Sequence, residues 1–214
     1  MDVLSRLDQA RGECNVLEHP FYERWSAGEL SADELECYAG EYRHAVMALA
    51  EASQAAAAKA GPEHARGLRA HAAEETAHVG LWDDFARASG VSVEMTESNG
   101  LDQTHACVQA WTAGETLLEH LAVLYAVEAG QSEISTTKLA GLRRHYGYSE
   151  EGPALEYFKV HELRDVVHAR EAGALIEELL AEHDDPELTE RMLARARGAL
   201  RGNWDLLSGV EAAC

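Results

Sequence analysis

Two segments of the chain repeat one arrangement of side chains: His161, Asp165 and His168, and, far upstream, His71, Glu75 and His78. In each, a histidine, an acid and a second histidine stand at i, i+4 and i+7, which on an α-helix advance by about 400° and 700° and return to nearly one azimuth. Two such faces cooperate only if long helices hold them against each other around a polar interior. Glu128, within Leu124-Tyr125-Ala126-Val127-Glu128-Ala129, adds an acid among small and apolar neighbours. An isolated buried carboxylate is costly, so Glu128 is expected to face a cation or a hydrogen-bond network. Imidazole and carboxylate with no thiolate nearby suit first-row metals such as iron, manganese or zinc. With 11 histidines in the chain, one such stripe is readily a solvated face; two stripes and a third helix with a buried acid outweigh that reading. Carboxylates and imidazoles from facing helices describe the two-metal sites built inside helical bundles.

The remaining pattern fits a bundle. Hydrophobic residues make up 46% of the 214, aromatics only 7%, and alanine-rich runs such as Ala55 to Ala58 favour helix over sheet. The periodicity predicts helices over residues 2–17, 32–60, 62–90, 115–146, 155–181 and 186–208, with helix also resuming near Thr104. Ser31 and Glu34 have capping-box spacing, Pro62 suits the first turn of the third helix, and Asp185-Pro186 reads as a cap followed by a first-turn proline. The polar stretch Val91 to Asp102 is the longest connection, and residues 147–152 form a turn. No internal repeat and no linker divides the chain, so the expectation is an all-α bundle of about seven helices in a single domain, 1–214, around an internal dimetal site.

Charge narrows the partners. Lys and Arg total 18 against 38 Asp and Glu, a net charge of −20 that repels phosphate backbones and anionic lipid headgroups. Neither nucleic acid nor membrane is expected as a partner. A charged N-terminus and the lack of an apolar run of about 18 residues argue against a signal peptide and a spanning helix. Cys14, Cys37, Cys107 and Cys214 show neither zinc-ribbon spacing nor a disulfide framework, which fits a reducing cytoplasm.

The ferritin-like bundles use paired Glu-x-x-His motifs, and only Glu75-x-x-His78 has that spacing here. The chain instead resembles the heme-oxygenase-like diiron oxidases and oxygenases, in the CADD-like branch of the superfamily that holds the thiaminase-like and pyrroloquinoline-quinone synthase C proteins. The likeness spans nearly the whole length. It is carried by His19-Pro-Phe-Tyr22 with Trp25, Gly28 and Leu30; Tyr38-Ala with Tyr42 and His44; Glu75-x-x-His78 with Leu81-Trp82 and Phe85; and Tyr125-x-x-Glu128. Further on it continues through Lys138-x-x-Gly141-Leu142, Tyr146-Gly147 and Tyr157-Phe158-x-x-His161-x3-Asp165-x2-His168.

That resemblance implies a heme-oxygenase-like fold without heme, in which Glu75, His78, Glu128, His161, Asp165 and His168 hold two iron ions, with manganese able to take one position. Glu41, His71 and Glu74 are further ligand candidates, more readily outer partners of the ligands. The implied activity is a non-heme diiron oxidase or oxygenase. It would use dioxygen, and where needed an external electron donor, to oxidise a small acid or amino acid by desaturation, C–C cleavage or N-oxygenation. The Glu75-x-x-His78 spacing looks more like the fatty-acid-processing branch. Lys138, Tyr22, Tyr38 and Tyr157 fall where the CADD-type 4-aminobenzoate synthases place functional residues; there a tyrosine is sacrificed for the ring and a lysine supplies nitrogen. A non-catalytic metal-binding or interaction module is the remaining alternative. Thiaminase-like hydrolysis is disfavoured because Cys107 lies too early in the chain for that nucleophile. The family often forms homodimers, so a homodimer is also expected.

Overall fold

The computed structural model describes residues 1–93, 100–182 and 185–214. Among these residues the chain forms nine α-helices and no strand: α1 (Val3–Glu13), α2 (Pro20–Ala27), α3 (Ala32–Lys59), α4 (Ala65–Ala88), α5 (Asp102–Thr112), α6 (Leu117–Glu128), α7 (Gln131–Arg144), α8 (Glu156–Glu182) and α9 (Pro186–Ala213). Of the polar connection expected over residues 91–102, residues 94–99 lie outside the described part.

Local chemistry explains the boundaries. Ser31 and Glu34 exchange side-chain and backbone hydrogen bonds of 3.2 and 2.8 Å to cap α3, and Asp185 accepts from the amides of Glu187 and Leu188 to cap α9. Three departures from the sequence pattern have identifiable causes. His19-Pro20 is a start rather than a stop: the His19 Nδ1 atom accepts from the Phe21 amide, Pro20 occupies the first turn, and Gly28, at φ +76°, closes α2 in the left-handed conformation. Pro62 lies in the turn before α4, which begins only at Ala65. The single helix expected over 115–146 is two, because α6 ends at Glu128 and α7 begins after Gly130, a residue that weakens helix propagation.

α6 is the central helix. It packs on α3, α8 and α9, and its run from Leu118 to Glu128 is buried except at Tyr125. A helix apolar all round belongs in the middle of a bundle, so whatever polar groups it carries face the interior. Around it the core is divided by chemistry. One buried cluster is rich in aromatics, including Tyr22, Trp25, Tyr38, Trp82, Tyr157 and Phe158; the other is aliphatic, including Leu7, Leu68, Leu121, Ile176 and Met192. α4 passes from Leu68 in the aliphatic cluster to Trp82 in the aromatic one, and α8 runs in the opposite sense from Tyr157 to Ile176. The polar residues of both helices therefore meet between the two clusters.

Cys37 of α3 and the terminal Cys214 pair as a disulfide, with Cα atoms 6.5 Å apart. This differs from the expectation of unpaired thiols, because a sequence separation of 177 residues leaves no spacing signal for such a pair. No helix among the described residues is long and apolar enough to cross a membrane.

Gly141 shows how tightly the aromatic end is packed. A Cβ atom there would lie 2.6 Å from the indole of Trp25, a fully buried side chain pinned by its own hydrogen bond to the Lys138 carbonyl oxygen. The gain in helix propensity from alanine, about 1 kcal/mol, is smaller than the cost of overpacking a ring that cannot move. Gly141→Ala should lower stability by about 1–3 kcal/mol in denaturant titrations; an unchanged midpoint would show that Trp25 has room to give.

Candidate metal centre

Seven side chains from three helices converge between the two core clusters: His71, Glu75 and His78 of α4, Glu128 of α6, and His161, Asp165 and His168 of α8. All but His71 are buried, and Glu128, His161 and Asp165 are at most 1% exposed. Donor atoms of His71, Glu75, Glu128 and His168 lie within 4.8 Å of one another, as do those of Glu75, His78 and His161, so Glu75 belongs to both groups. On one side His71 Nε2 is 2.8 Å from Glu128 Oε1 and 3.8 Å from Glu75 Oε1, while His168 Nδ1 is 3.5 Å from Glu75 Oε1. On the other, His78 Nδ1 is 3.2 Å from Glu75 Oε1 and His161 Nε2 is 3.9 Å from Glu75 Oε2. Asp165 belongs to neither group; its Oδ1 lies 3.7 Å from His168 Nδ1, and its carboxyl also feels the charge of His161.

Proximity here is not hydrogen bonding. His71 Nε2, Glu75 Oε1, His78 Nδ1, both oxygens of Glu128 and of Asp165, His161 Nε2 and His168 Nδ1 are all buried without a hydrogen-bond partner. Native interiors hold only a few such atoms per hundred residues, and here nine are gathered at one point. Metal–ligand bonds of about 2.1 Å place neighbouring donor atoms about 3 to 4 Å apart, which is the range of the separations above. The orphaned atoms are thus spaced as ligands, and the donor set of imidazoles and carboxylates suits iron or manganese.

The opposite edges of the rings are fixed by partners outside the cluster. His161 Nδ1 donates to the Tyr157 carbonyl oxygen at 2.7 Å, leaving Nε2 turned inward. His168 Nε2 is 3.2 Å from Glu74, which Arg164 holds through its Nε at 3.1 Å. Glu74 therefore orients His168 from outside, and Arg164 completes that chain. Glu41 stands elsewhere: its carboxylate accepts from the Leu101 amide and the Thr104 hydroxyl at the start of α5. It does not join the cluster. His71, ranked in the sequence as an accessory residue, stands inside it; its i, i+4 relation to Glu75 was the available signal.

Charge is unevenly shared. Burial raises the carboxyls of Glu128 and Asp165 above their ordinary range against the pull of His71 and His168 respectively. Burial also opposes ionisation of Glu75, yet the His161 and His78 rings beside it hold its carboxyl well below the usual range. His71 loses to burial but gains more from Glu128 and is raised to about 9. An unbalanced set of this kind is what a pair of cations would settle.

A second buried group lies under the aromatic cluster. Lys138 of α7 is 0% exposed and its Nζ has no hydrogen-bond partner. The rings of Tyr42, Tyr22 and Tyr38 surround it at 4.7, 5.1 and 5.3 Å, with Phe158 and Trp82 at 5.6 and 5.8 Å. Burial alone lowers its pKa to about 7, so much of it is a neutral amine near neutrality. Tyr22 and Tyr38 share a hydrogen bond of 3.0 Å between their hydroxyls, and burial raises both phenols well above their ordinary range. Tyr157 stacks on His161 at 3.9 Å between centroids and so joins the aromatic cage to the polar cluster. Tyr42, Trp82 and Phe158 had no assigned role in the sequence reading; the i, i+4 pair Tyr38 and Tyr42 was the signal. Cys107 is fully buried and its thiol is pushed up to about 12 by burial, a packing residue rather than a nucleophile.

A family profile described as iron-containing redox enzyme matches residues 38–204, a span that holds every residue of the cluster. The chain belongs to this family. It is 34% identical over 197 residues to a 4-aminobenzoate synthase of Chlamydia muridarum, covering 88% of this chain and 83% of that protein. A 4-aminobenzoate synthase of Nitrosomonas europaea is 29% identical over 217 residues, covering 92% and 86%. Among solved structures, a TenA homologue from Pseudomonas syringae superposes with a TM-score of 0.84 at 18% identity, covering 98% of this chain and 91% of that one. A domain with a heme oxygenase-like fold from Shewanella denitrificans gives 0.73 at 17% identity, covering 98% and 89%. The fold is heme-oxygenase-like, as the sequence resemblance implied, and both of these relatives carry the name 4-aminobenzoate synthase.

Two predictions follow from the electrostatics. Asp165 is buried with both oxygens lacking a hydrogen bond and its carboxyl raised by burial, so an isosteric amide there costs the metal-free protein little and the loaded protein a ligand. Asp165→Asn stripped of metal should therefore melt no lower than wild type, whereas the rise in Tm on adding Fe(II) should shrink; a large fall in the metal-free Tm would mark Asp165 as a structural partner instead. For Lys138 the folded pKa lies below the unfolded value of 10.5, so the unfolded chain binds more protons between about pH 7 and 10, and stability must rise with pH across that window. Lys138→Met should be more stable at pH 7 and lose this slope; a slope that survives the substitution would assign it to another group.

Proposed function

We propose that this chain, acting as one domain over residues 1–214, is a non-heme dimetal enzyme that makes 4-aminobenzoate from its own side chains and dioxygen. The observation that carries the reading is Lys138, an unpartnered amine sealed in a cage of tyrosines next to a cluster of orphaned metal donors. Burying a lysine without an acceptor is expensive and does nothing for packing that methionine would not do better. Its retention is explained if the lone pair is needed. The names of the relatives point to the same product.

Two irons, or iron with manganese, would be held by His71, Glu75, Glu128 and His168 on one side and by Glu75, His78, His161 and Asp165 on the other, and would supply the oxidising power of dioxygen. The chain's own residues do the rest. Tyr22 or Tyr38 supplies the ring; burial keeps both hydroxyls protonated at rest, and a hydrogen bond joins them. Lys138 supplies nitrogen, kept nucleophilic because burial disfavours its protonated form. Trp82, Phe158 and Tyr42 exclude water from the space between amine and phenols. Tyr157 ties His161 to the cage through its carbonyl and its ring. The ring would leave by cleavage of its Cα–Cβ bond with Cβ oxidised to the carboxylate, and its phenol oxygen would depart as water in exchange for the Lys138 nitrogen; dioxygen is the oxidant, and an external electron donor would supply the electrons its reduction still needs.

The test is to load the purified chain with Fe(II), or with Fe(II) and Mn(II), add dioxygen and a chemical reductant but no organic substrate, and measure both 4-aminobenzoate and the intact mass of the chain. Wild type should yield at most one product per chain, with a matching loss of mass from one tyrosine and a change at Lys138. Tyr22→Phe or Tyr38→Phe, whichever tyrosine is consumed, and Lys138→Met should bind metal normally and give none. Product that appears only with an added small acid or amino acid, from a chain of unchanged mass, would replace this reading with an oxygenase acting on an external substrate.

A further inference from the structure

The cluster is sealed by helices on nearly every side, yet a cation must reach it. A cleft of about 310 Å³ opens between α4 and α8 directly over His71 and His168. His71 is the one member of the cluster that is not fully buried, and His168, 3% exposed, has an Nδ1 with no hydrogen-bond partner. The walls are apolar, including Leu68, Leu121 and Leu175. The rim carries Glu63, His64 and Glu171, and the lining includes no lysine or arginine. His64 Nε2 stands 3.8 Å from Glu63 and 3.6 Å from Glu178, so an imidazole and the carboxylates of Glu63 and Glu171 line the mouth, with Glu178 beside them.

Resting on the metal reading above, we propose that this cleft is the route by which divalent cations load the centre, with Glu63, His64, Glu171 and Glu178 as transit ligands. A mouth lined by one sign of charge with low-dielectric walls concentrates the opposite ion and raises its rate of arrival. Oxygen and imidazole ligands at the rim exchange for water on Fe(II) or Mn(II) before His71 and His168 take the ion inward. The two groups whose donor atoms all lie within 4.8 Å are in the interior; the rim captures and releases, and the centre retains. An anionic ligand would be repelled at this mouth, which separates a cation route from a binding pocket for an acid.

Stopped-flow uptake of Co(II) by the metal-stripped full-length chain, followed by its visible absorption, tests the proposal without reference to activity. Two variants act on the route and leave the cluster intact. In Glu63→Gln/Glu171→Gln/Glu178→Gln the rim loses its charge; Gly67→Trp fills the mouth, at a position where an added Cβ meets nothing within 4 Å. Both should reach the wild-type number of Co(II) per chain. The charge variant should load about tenfold more slowly at low salt, with the difference shrinking as ionic strength rises, and the plugged variant should load slowly at every salt concentration. Wild-type rates in both variants would overturn the route, and a slow plugged variant beside a fast charge variant would overturn capture by the carboxylates. A wild-type chain that takes up no Co(II) would overturn the metal reading, and the route with it.

Discussion

Three carboxylates and four imidazoles gathered at the centre of a helical bundle are the constraint on which the rest of the structure depends. Each buried ion costs several kcal/mol in effective desolvation, and here the donor atoms do not relieve one another by hydrogen bonding. Such a cluster survives only if the surrounding helices are stable enough to hold it or if cations complete it. The architecture serves both needs. α6, buried almost throughout, fixes Glu128 from the inside, while α4 and α8 span the aromatic and aliphatic clusters in opposite senses and present their polar faces at the junction.

The interior also keeps its two kinds of charge apart. The acids lie with histidines between α4, α6 and α8, whereas Lys138 lies on α7 among aromatic rings with no carboxylate as partner. A salt bridge would have kept the amine protonated; the cage does the reverse. Tyr157 is the residue in contact with both regions, accepting from His161 through its carbonyl while its ring stacks on the imidazole and packs against Trp82 at 4.8 Å.

Much of this was legible in the sequence because ligand spacing on a helix is a local property. The i, i+4, i+7 faces of α4 and α8 and the acid of α6 could be read residue by residue, and capping signals placed the starts of α3 and α9. What was not legible depended on three-dimensional company. Glu41 stands in the same tyrosine-bearing run as Tyr38 and Tyr42, but its face of α3 meets the start of α5, where the Leu101 amide and the Thr104 hydroxyl donate to its carboxylate. His71 and Glu74 are three residues apart and differ in role only because one faces Glu128 and the other faces Arg164. The helix opened by Pro20 and the pairing of Cys37 with Cys214 were hidden for related reasons: proline both ends and begins helices, and disulfide partners carry no label along the chain.

The central claim is that Glu75 stands between two metal ions, and anomalous scattering from crystals of the Mn(II)- or Fe(II)-loaded protein tests it most directly. The account predicts two peaks on either side of Glu75, one within bonding distance of His71, Glu128 and His168, the other of His78, His161 and Asp165. A single peak, peaks outside this cluster, or a metal-soaked crystal in which these side chains hydrogen-bond to one another instead would contradict it.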